Sequence, residues 1–171
     1  MEDEVYLIEE WKPIREFPEY SVSTTGRVRN DHTGHIMALT MNQLGIIQVG
    51  LSSNRRYYKR AVAPLVAHAF IPRPMGPFDT PINLDGDRSN NMVTNLMWRP
   101  RWFAVRYHQQ FKHPYDYSIP NRIIDLKTKE VTRNSFDCAM RYGLLEKDLV
   151  LSILNRTFVW PTYQQFRILD E

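Results

Sequence analysis

"PINLDGDRSNNMVTNLMW", residues 81–98, sets two Asp, four Asn and an Arg inside an apolar frame. Asp85-Gly86-Asp87 suits a tight turn, in which glycine supplies a positive φ and an aspartate bonds the backbone two residues on. Asn90 and Asn91 are placed to satisfy backbone groups where a following helix begins. Leu96 and Trp98 would anchor the element to a core, so its polar density is first of all a folding device. A calcium loop is the rival local reading, because Asp85, Asp87 and Ser89 alternate as such ligands do. It lacks glycine at the sixth position, where Asn90 stands, and has Leu96 where a bidentate Glu is needed.

Upstream, "EYSVSTTGRVRN" alternates apolar positions across a Thr-Gly turn and predicts a hairpin opening on Gly26. "GIIQVGLSSNRRYYKRAVAPLVAHAF" predicts a strand, a polar turn at Ser52 to Asn54, a second strand, and an apolar helix starting near Pro64. The proline-rich "IPRPMGPFDTP" is an irregular connection. Downstream, "RPRWFAVRYHQQF" has helical spacing, with Phe103, Val105, Tyr107 and Phe111 as its apolar positions. "KHPYDYSIPN" reads as a linker flanked by Pro114 and Pro120. "RIIDLKTKEVTR" predicts a hairpin turning at Lys127 to Lys129. "SFDCAMRYGLLEKDLVLSILNR" predicts two short helices broken at Gly143, with Ser135 as the first cap. Helix, glycine turn and helix give the outline of a helix-turn-helix. Trp11, Phe17, Tyr20, Leu65, Phe70, Leu96 and Trp98 are expected in the core.

At 171 residues and 43% hydrophobic content, the chain can bury one sizeable core or two small ones without disulfides. Cys138, the single cysteine, excludes an internal bridge and a thiolate metal cage. With Arg141 as its nearest base, it reads as a buried helix residue and not as a nucleophile. No apolar run approaches the length of a membrane span, and the acidic "MEDEVYLIEE" lacks the basic start of a signal peptide. A soluble intracellular protein is expected.

The net charge of +3 is unevenly spread. Residues 1–10 carry five acids and no base, residues 11–110 carry thirteen Lys or Arg against six acids, and the remainder nine against eight. The basic middle interleaves Arg27, Arg29, Arg55, Arg56, Lys59, Arg60, Arg73, Arg88, Arg99, Arg101 and Arg106 with aromatic rings. That pattern suits a polyanion, since Arg pairs with phosphate while rings cover sugar or base surface. A solvated cationic face is the bland alternative.

The frame Asn-Leu-Asp-Gly-Asp, Ser-Asn-Asn and Asn-Leu-x-Trp resembles the core of HNH endonucleases, particularly phage and intron homing enzymes. "EEWKPIREFPEYSVSTTGRVRN" is similar to the modular domain that precedes such cores, and "LVAHAFIPRP" to the helix and exit joining the two. The resemblance covers roughly residues 8–105. It implies a small antiparallel-sheet amino-terminal module (1–62) and a ββα-metal core of the HNH or His-Me finger type (63–112); with the linker (113–120) and a carboxy-terminal hairpin plus helix-turn-helix module (121–171), itself similar in outline to the module that follows such cores, an α+β protein is expected.

At the chemical positions the sequence departs from that family. Relatives place a His general base immediately before the hydrophobic-Asp-Gly turn, where this chain has Asn83, and a carboxamide does not accept a proton near neutral pH. The metal-binding Asp or Asn that precedes that His is replaced by Ile82, which offers a hard cation no oxygen. The ligand on the following helix falls at Ala104, and the upstream His-Arg is replaced by Ala63-Pro64. Asn95, which orients the base in relatives, is retained. Asp85 and His108 are the candidates for rescuing a metal site, with His68 behind them. The spacing of His32 and His35 suits a metal pair without a third ligand.

The resulting expectation is a catalytically inactive, phage-derived protein that binds double-stranded DNA, needs no cofactor, and resides in the host cytoplasm or with the virion. DNA would be held by Arg27, Arg29, Arg55, Arg56, Lys59, Arg60, Arg88, Arg99 and Arg101, with Asn155 and Arg156 at the end of the second carboxy-terminal helix. One alternative is an active nuclease using Mg²⁺ or Mn²⁺ through displaced ligands. Another is a virion or host-takeover component that binds phage or host proteins. Neither a membrane nor a small-molecule substrate is expected.

Overall fold

The computed structural model describes residues 8–112 and 117–169. Pro114 in the expected linker and most of the acidic amino-terminal segment lie outside the described residues. The fold is α+β, and the chain divides into two compact units.

The first unit comprises residues up to Asn83 together with Asp87–Trp98. Strands β1 (Trp11–Ile14), β2 (Phe17–Ser23) and β3 (Val28–Asn30) form an antiparallel sheet in that order. Pro13 is tolerated because β1 is an edge strand, and the register shifts beside it. The expected hairpin is present: Val22 pairs with Val28, and Gly26 has φ of +87°. A second antiparallel sheet orders β4 (Leu39–Met41), β5 (Ile47–Ser53) and β6 (Arg56–Ala61). The turn joining β5 and β6 falls on Asn54 and Arg55, one residue beyond the expected position, and both have positive φ. A two-residue turn of that kind matches the twist of the strands it joins.

Helix α1 (Val62–Phe70) begins two residues before Pro64, which is tolerated in the first turn because its missing N–H has no helical partner there. Strands β7 (Thr80–Asn83) and β8 (Leu96–Arg99) pair with each other, and a single 3-10 turn at Val93–Asn95 leads into β8. The core gathers Ile14, Phe17, Tyr20, Val22, Val28, Val49, Leu51, Val62, Val66 and Leu96. Trp98 is buried, donates from Nε1 to the Ile71 carbonyl at 3.1 Å, and meets the His68 ring edge-on at 4.9 Å. Three residues expected in the core are only half-buried. Leu65 and Phe70 pack against its margin, and Trp11, on an edge strand, lies beneath two arginines.

The second unit comprises Leu84–Gly86 and the described residues from Arg99 onward. Helix α2 (Arg101–Gln110) buries Phe103, Ala104, Tyr107 and Gln110; Val105, expected among its apolar positions, is exposed. A small antiparallel sheet orders β10 (Val131–Thr132), β9 (Ile123–Asp125) and β11 (Phe166–Ile168). Helices α3 (Ser135–Tyr142) and α4 (Glu146–Asn155) close on Ile123, Cys138, Ala139, Leu144, Leu149, Ile153, Val159 and Phe166.

The cap of α3 is Asn134 and not Ser135: its side chain accepts from the Asp137 N–H at 2.8 Å. Ser135 is instead the first helical residue and fully buried. Its hydroxyl donates to Glu146 at 2.5 Å and accepts from the Ile119 N–H at 2.8 Å. Gly143, with φ of +61°, ends α3 in the left-handed conformation that spares a Cβ. No helix among the described residues is long and apolar enough to cross a membrane.

Candidate functional site

The turn after β7 folds as its sequence suggests. Gly86 has φ of +76°, and a Cβ there would lie 2.4 Å from the Phe111 ring, so only glycine fits. Asp87 accepts from the Ser89 N–H at 2.8 Å and the Ser89 hydroxyl at 2.6 Å, bonds that hold its carboxyl below the usual range.

Asn83 is 4% exposed. Its Nδ2 donates to the Asn90 carbonyl at 2.8 Å and to Asn91 Oδ1 at 3.2 Å. Asn95 Nδ2 donates to the same Asn90 carbonyl at 2.9 Å. Two carboxamides thus converge on one backbone oxygen and fix the connection between β7 and β8. Asn90 and Asn91 serve this polar knot; the expected helix there is only the short 3-10 turn.

At the positions matched to the family's ligands, the side chains of Ile82 and Ala104 offer no oxygen or ring nitrogen to a divalent cation. Ile82 is fully buried and aliphatic, Asn83 donates its amide inward, and Ala104 is buried in α2. Asp85 is exposed on its turn. His108 Nδ1 lies 3.0 Å from the Ala104 carbonyl one helical turn back, so that nitrogen serves its own helix. His68 meets the Trp98 ring edge-on, and His32 and His35 are exposed in the loop after β3. Among the described residues, no group of three or more His, Cys, Asp or Glu is disposed to hold a metal ion. Burial pushes the Cys138 thiol up to about 12, which suits a packing residue.

The cations expected at DNA divide into three sets. Arg27 pairs with Glu9, Arg29 with Asp31 at 3.0 Å, and Arg60 with Glu16 at 3.6 Å. The Arg27 hydrogen bond, helped by the hydroxyls of Thr25 and Ser23, holds the Glu9 carboxyl at about 2. Arg27 and Arg29 also lie over the Trp11 ring at 5.5 and 4.5 Å, and Arg60 over Phe17 and Tyr58 at 5.3 and 5.1 Å.

Arg99 and Arg88 form the second set. Arg99 is 5% exposed, contrary to its expected place at phosphates. Its Nε donates to the Gly143 carbonyl at 3.0 Å and its Nη2 to the Tyr142 carbonyl at 2.8 Å. From α2, Gln110 Nε2 donates to the Leu144 carbonyl at 3.2 Å, and its Oε1 accepts from the Glu146 N–H at 3.0 Å. The connection between α3 and α4 is thereby clamped by two side chains. Arg88 donates to the Leu44 carbonyl at 3.2 Å.

Arg55, Arg56, Lys59, Arg101 and Arg156 are exposed and carry no ion pair among the described residues, and Asn155 is exposed beside Arg156. Strand alternation splits the run from Arg55 to Arg60. Tyr58 and Arg60 point to the face of Leu51 and Val49, whereas Tyr57 and Lys59 share the other face with Ser52, Gly50 and Gln48. On that open face the Tyr57 ring lies across Gly50, where a Cβ would come within 2.0 Å of its hydroxyl. The result is an exposed aromatic, a lysine and hydrogen-bonding side chains on one sheet surface, with Arg55 at its tip. Helix α2 presents a second such face that the candidate residues include only through Arg101. Trp102, Val105, Arg106 and Gln109 are also exposed there, with Arg106 over Trp102 at 5.5 Å and Trp102 stacked on Trp160 at 5.3 Å. The helical spacing of those residues was the available signal.

Comparison with known proteins bears on this arrangement. Residues 9–52 match the NUMOD4 motif. An uncharacterized HNH endonuclease of Acanthamoeba polyphaga mimivirus is 29% identical over 125 residues, which are 73% of this chain. The chain spans 34% of that relative's length. The HNH homing endonuclease I-HmuI, whose structure is described as showing DNA binding and cleavage, shares the fold with a TM-score of 0.54 at 20% identity. That likeness covers 95% of this chain and 99% of the other.

Proposed function

We propose that this chain, a member of the HNH homing endonuclease family with an amino-terminal NUMOD4 motif, binds double-stranded DNA and does not cut it. One observation carries the loss of cutting. Asn83 occupies the position of the family's general base, with its amide donated to Asn90 and Asn91. A carboxamide so placed takes no proton from water, and Ile82 beside it supplies no oxygen to a metal. The β7–β8 ribbon followed by α2 stands for the family's ββα element, kept here as a scaffold.

The binding part rests on exposed cations beside aromatic or hydrogen-bonding groups: Arg55, Lys59 and Tyr57 on the second sheet, Arg101, Arg106 and Trp102 on α2, and Asn155 and Arg156 at the end of α4. Helices α3 and α4, joined through Gly143, act as a helix-turn-helix whose second helix enters the major groove. A phage or viral origin accords with the mimivirus relative.

The experiment incubates purified protein with plasmid at low and moderate salt, with Mg²⁺ or Mn²⁺, and reads mobility shift and cleavage from one gel. A shift that weakens with salt and leaves the plasmid intact is expected. Five phosphate contacts would give a slope of about −4.5 in log affinity against log salt. Metal-dependent cutting lost in His108→Ala would overturn the non-catalytic reading, and absence of any shift would overturn DNA binding.

A further inference from the structure

We infer that the exposed stripe of α4 reads thymine methyl groups through Leu151 and Leu154, an inference that rests on the DNA-binding reading above. Helix α4 buries Leu149, Val150, Ser152 and Ile153 against its own unit. On its other side Leu151 is 45% and Leu154 67% exposed, three residues apart and so on one face of the helix. Single exposed apolar residues are ordinary, but two in register on one face form a surface.

Charge selects the occupant. Lys147 in the first turn and Arg156 just past the last are exposed and carry no ion pair among the described residues. Asp148, the acid on this face, sits in the first turn, where the helix dipole favours it. Helix α4 is about 15 Å long. Cations at both its ends and an apolar middle match a major groove about 12 Å wide, walled by phosphates and lined by thymine methyls. Asn155, beside Leu154, has the carboxamide geometry that pairs with adenine, so the stripe favours A·T pairs. Leu151 and Leu154 lie about 4.5 Å apart along the helix axis, against 3.4 Å between successive nucleotides of a strand, so they can meet neighbouring base pairs.

The test compares an A·T-rich duplex with the same duplex in which every thymine is replaced by deoxyuridine. That change deletes the methyl group and keeps every hydrogen-bonding edge. Affinity of the full chain is read by fluorescence anisotropy at fixed salt. The thymine duplex should bind about tenfold more tightly, two methyl groups contributing roughly fourfold each before imperfect burial. The preference should fall to near unity in Leu151→Ala/Leu154→Ala, whose fold is checked by circular dichroism. Equal affinity for both duplexes with binding intact would overturn this inference alone. A preference that survives in the double variant would also overturn it, as would a double variant that alters self-association in sedimentation and not the preference. Failure to bind either duplex would overturn the DNA-binding reading with it.

Discussion

Replacing Arg99 by Met separates two roles for a residue that sequence assigns to phosphate and the fold assigns to a turn. The guanidinium gives two charge-assisted hydrogen bonds to the carbonyls of Tyr142 and Gly143, together on the order of 5 kcal/mol. Burial opposes them. It pulls the guanidinium from 12.5 down to about 10, a cost of roughly 3 kcal/mol for keeping the charge inside. Arg99→Met should therefore destabilise the second unit by about 2 kcal/mol, with the two carbonyls left unpaired. Cys138 supplies the assay, being the only cysteine and buried in the same unit. Its labelling by a thiol reagent, in the regime where closing outpaces reaction, should accelerate about 30-fold. The salt slope of DNA binding should stay unchanged. A labelling rate within threefold of the parent, with a slope shallower by about 0.9, would refute the clamp and return Arg99 to the phosphates.

The remaining predictions concern charge and backbone. By carbon-13 NMR, Glu9 should titrate near 2, and Arg27→Ala should return it toward 4.5. Its pair with Arg27 contributes fully above about 4.5 and is lost as pH falls through about 2, so a parent midpoint near 4.5 would contradict the pairing. Gly86→Ala should cost about 2–3 kcal/mol in urea denaturation, because it combines a positive φ with a Cβ inside the Phe111 ring. Gly50→Ala, which meets the free end of the exposed Tyr57 side chain, should cost less. Lys59→Ala should reduce the salt slope by about 1, whereas Arg29→Ala, whose guanidinium is committed to Asp31 and Trp11, should change it less. Equal effects of the two would mean that the ion pairs open on binding.

The elements were legible where chemistry is local. Gly26, Gly86 and Gly143 each marked a backbone turn that only a residue tolerant of positive φ makes comfortably, and all three turns are there. Alternation found β2 and β3, helical spacing found α2, and the break at Gly143 separated α3 from α4. What escaped depends on partners distant in sequence. Ser135 and Asn134 are both good capping residues, and only burial of Glu146 beside Ser135 decides between them. Arg99 reads as one more cation in a basic run because the carbonyls it serves are more than forty residues away. The basic residues from 55 to 60 form a single block on paper, and strand pleating sends Arg56 and Arg60 to one face and Lys59 to the other.

The measurement closest to the central claim is nicking of supercoiled plasmid at protein concentrations that saturate binding, with Mg²⁺ or Mn²⁺ present and the shift recorded in parallel. The proposal that Asn83 stands where relatives place their general base predicts fully shifted plasmid that stays supercoiled once the protein is removed. Nicked circles that accumulate with time, require the metal and track the bound fraction would contradict it.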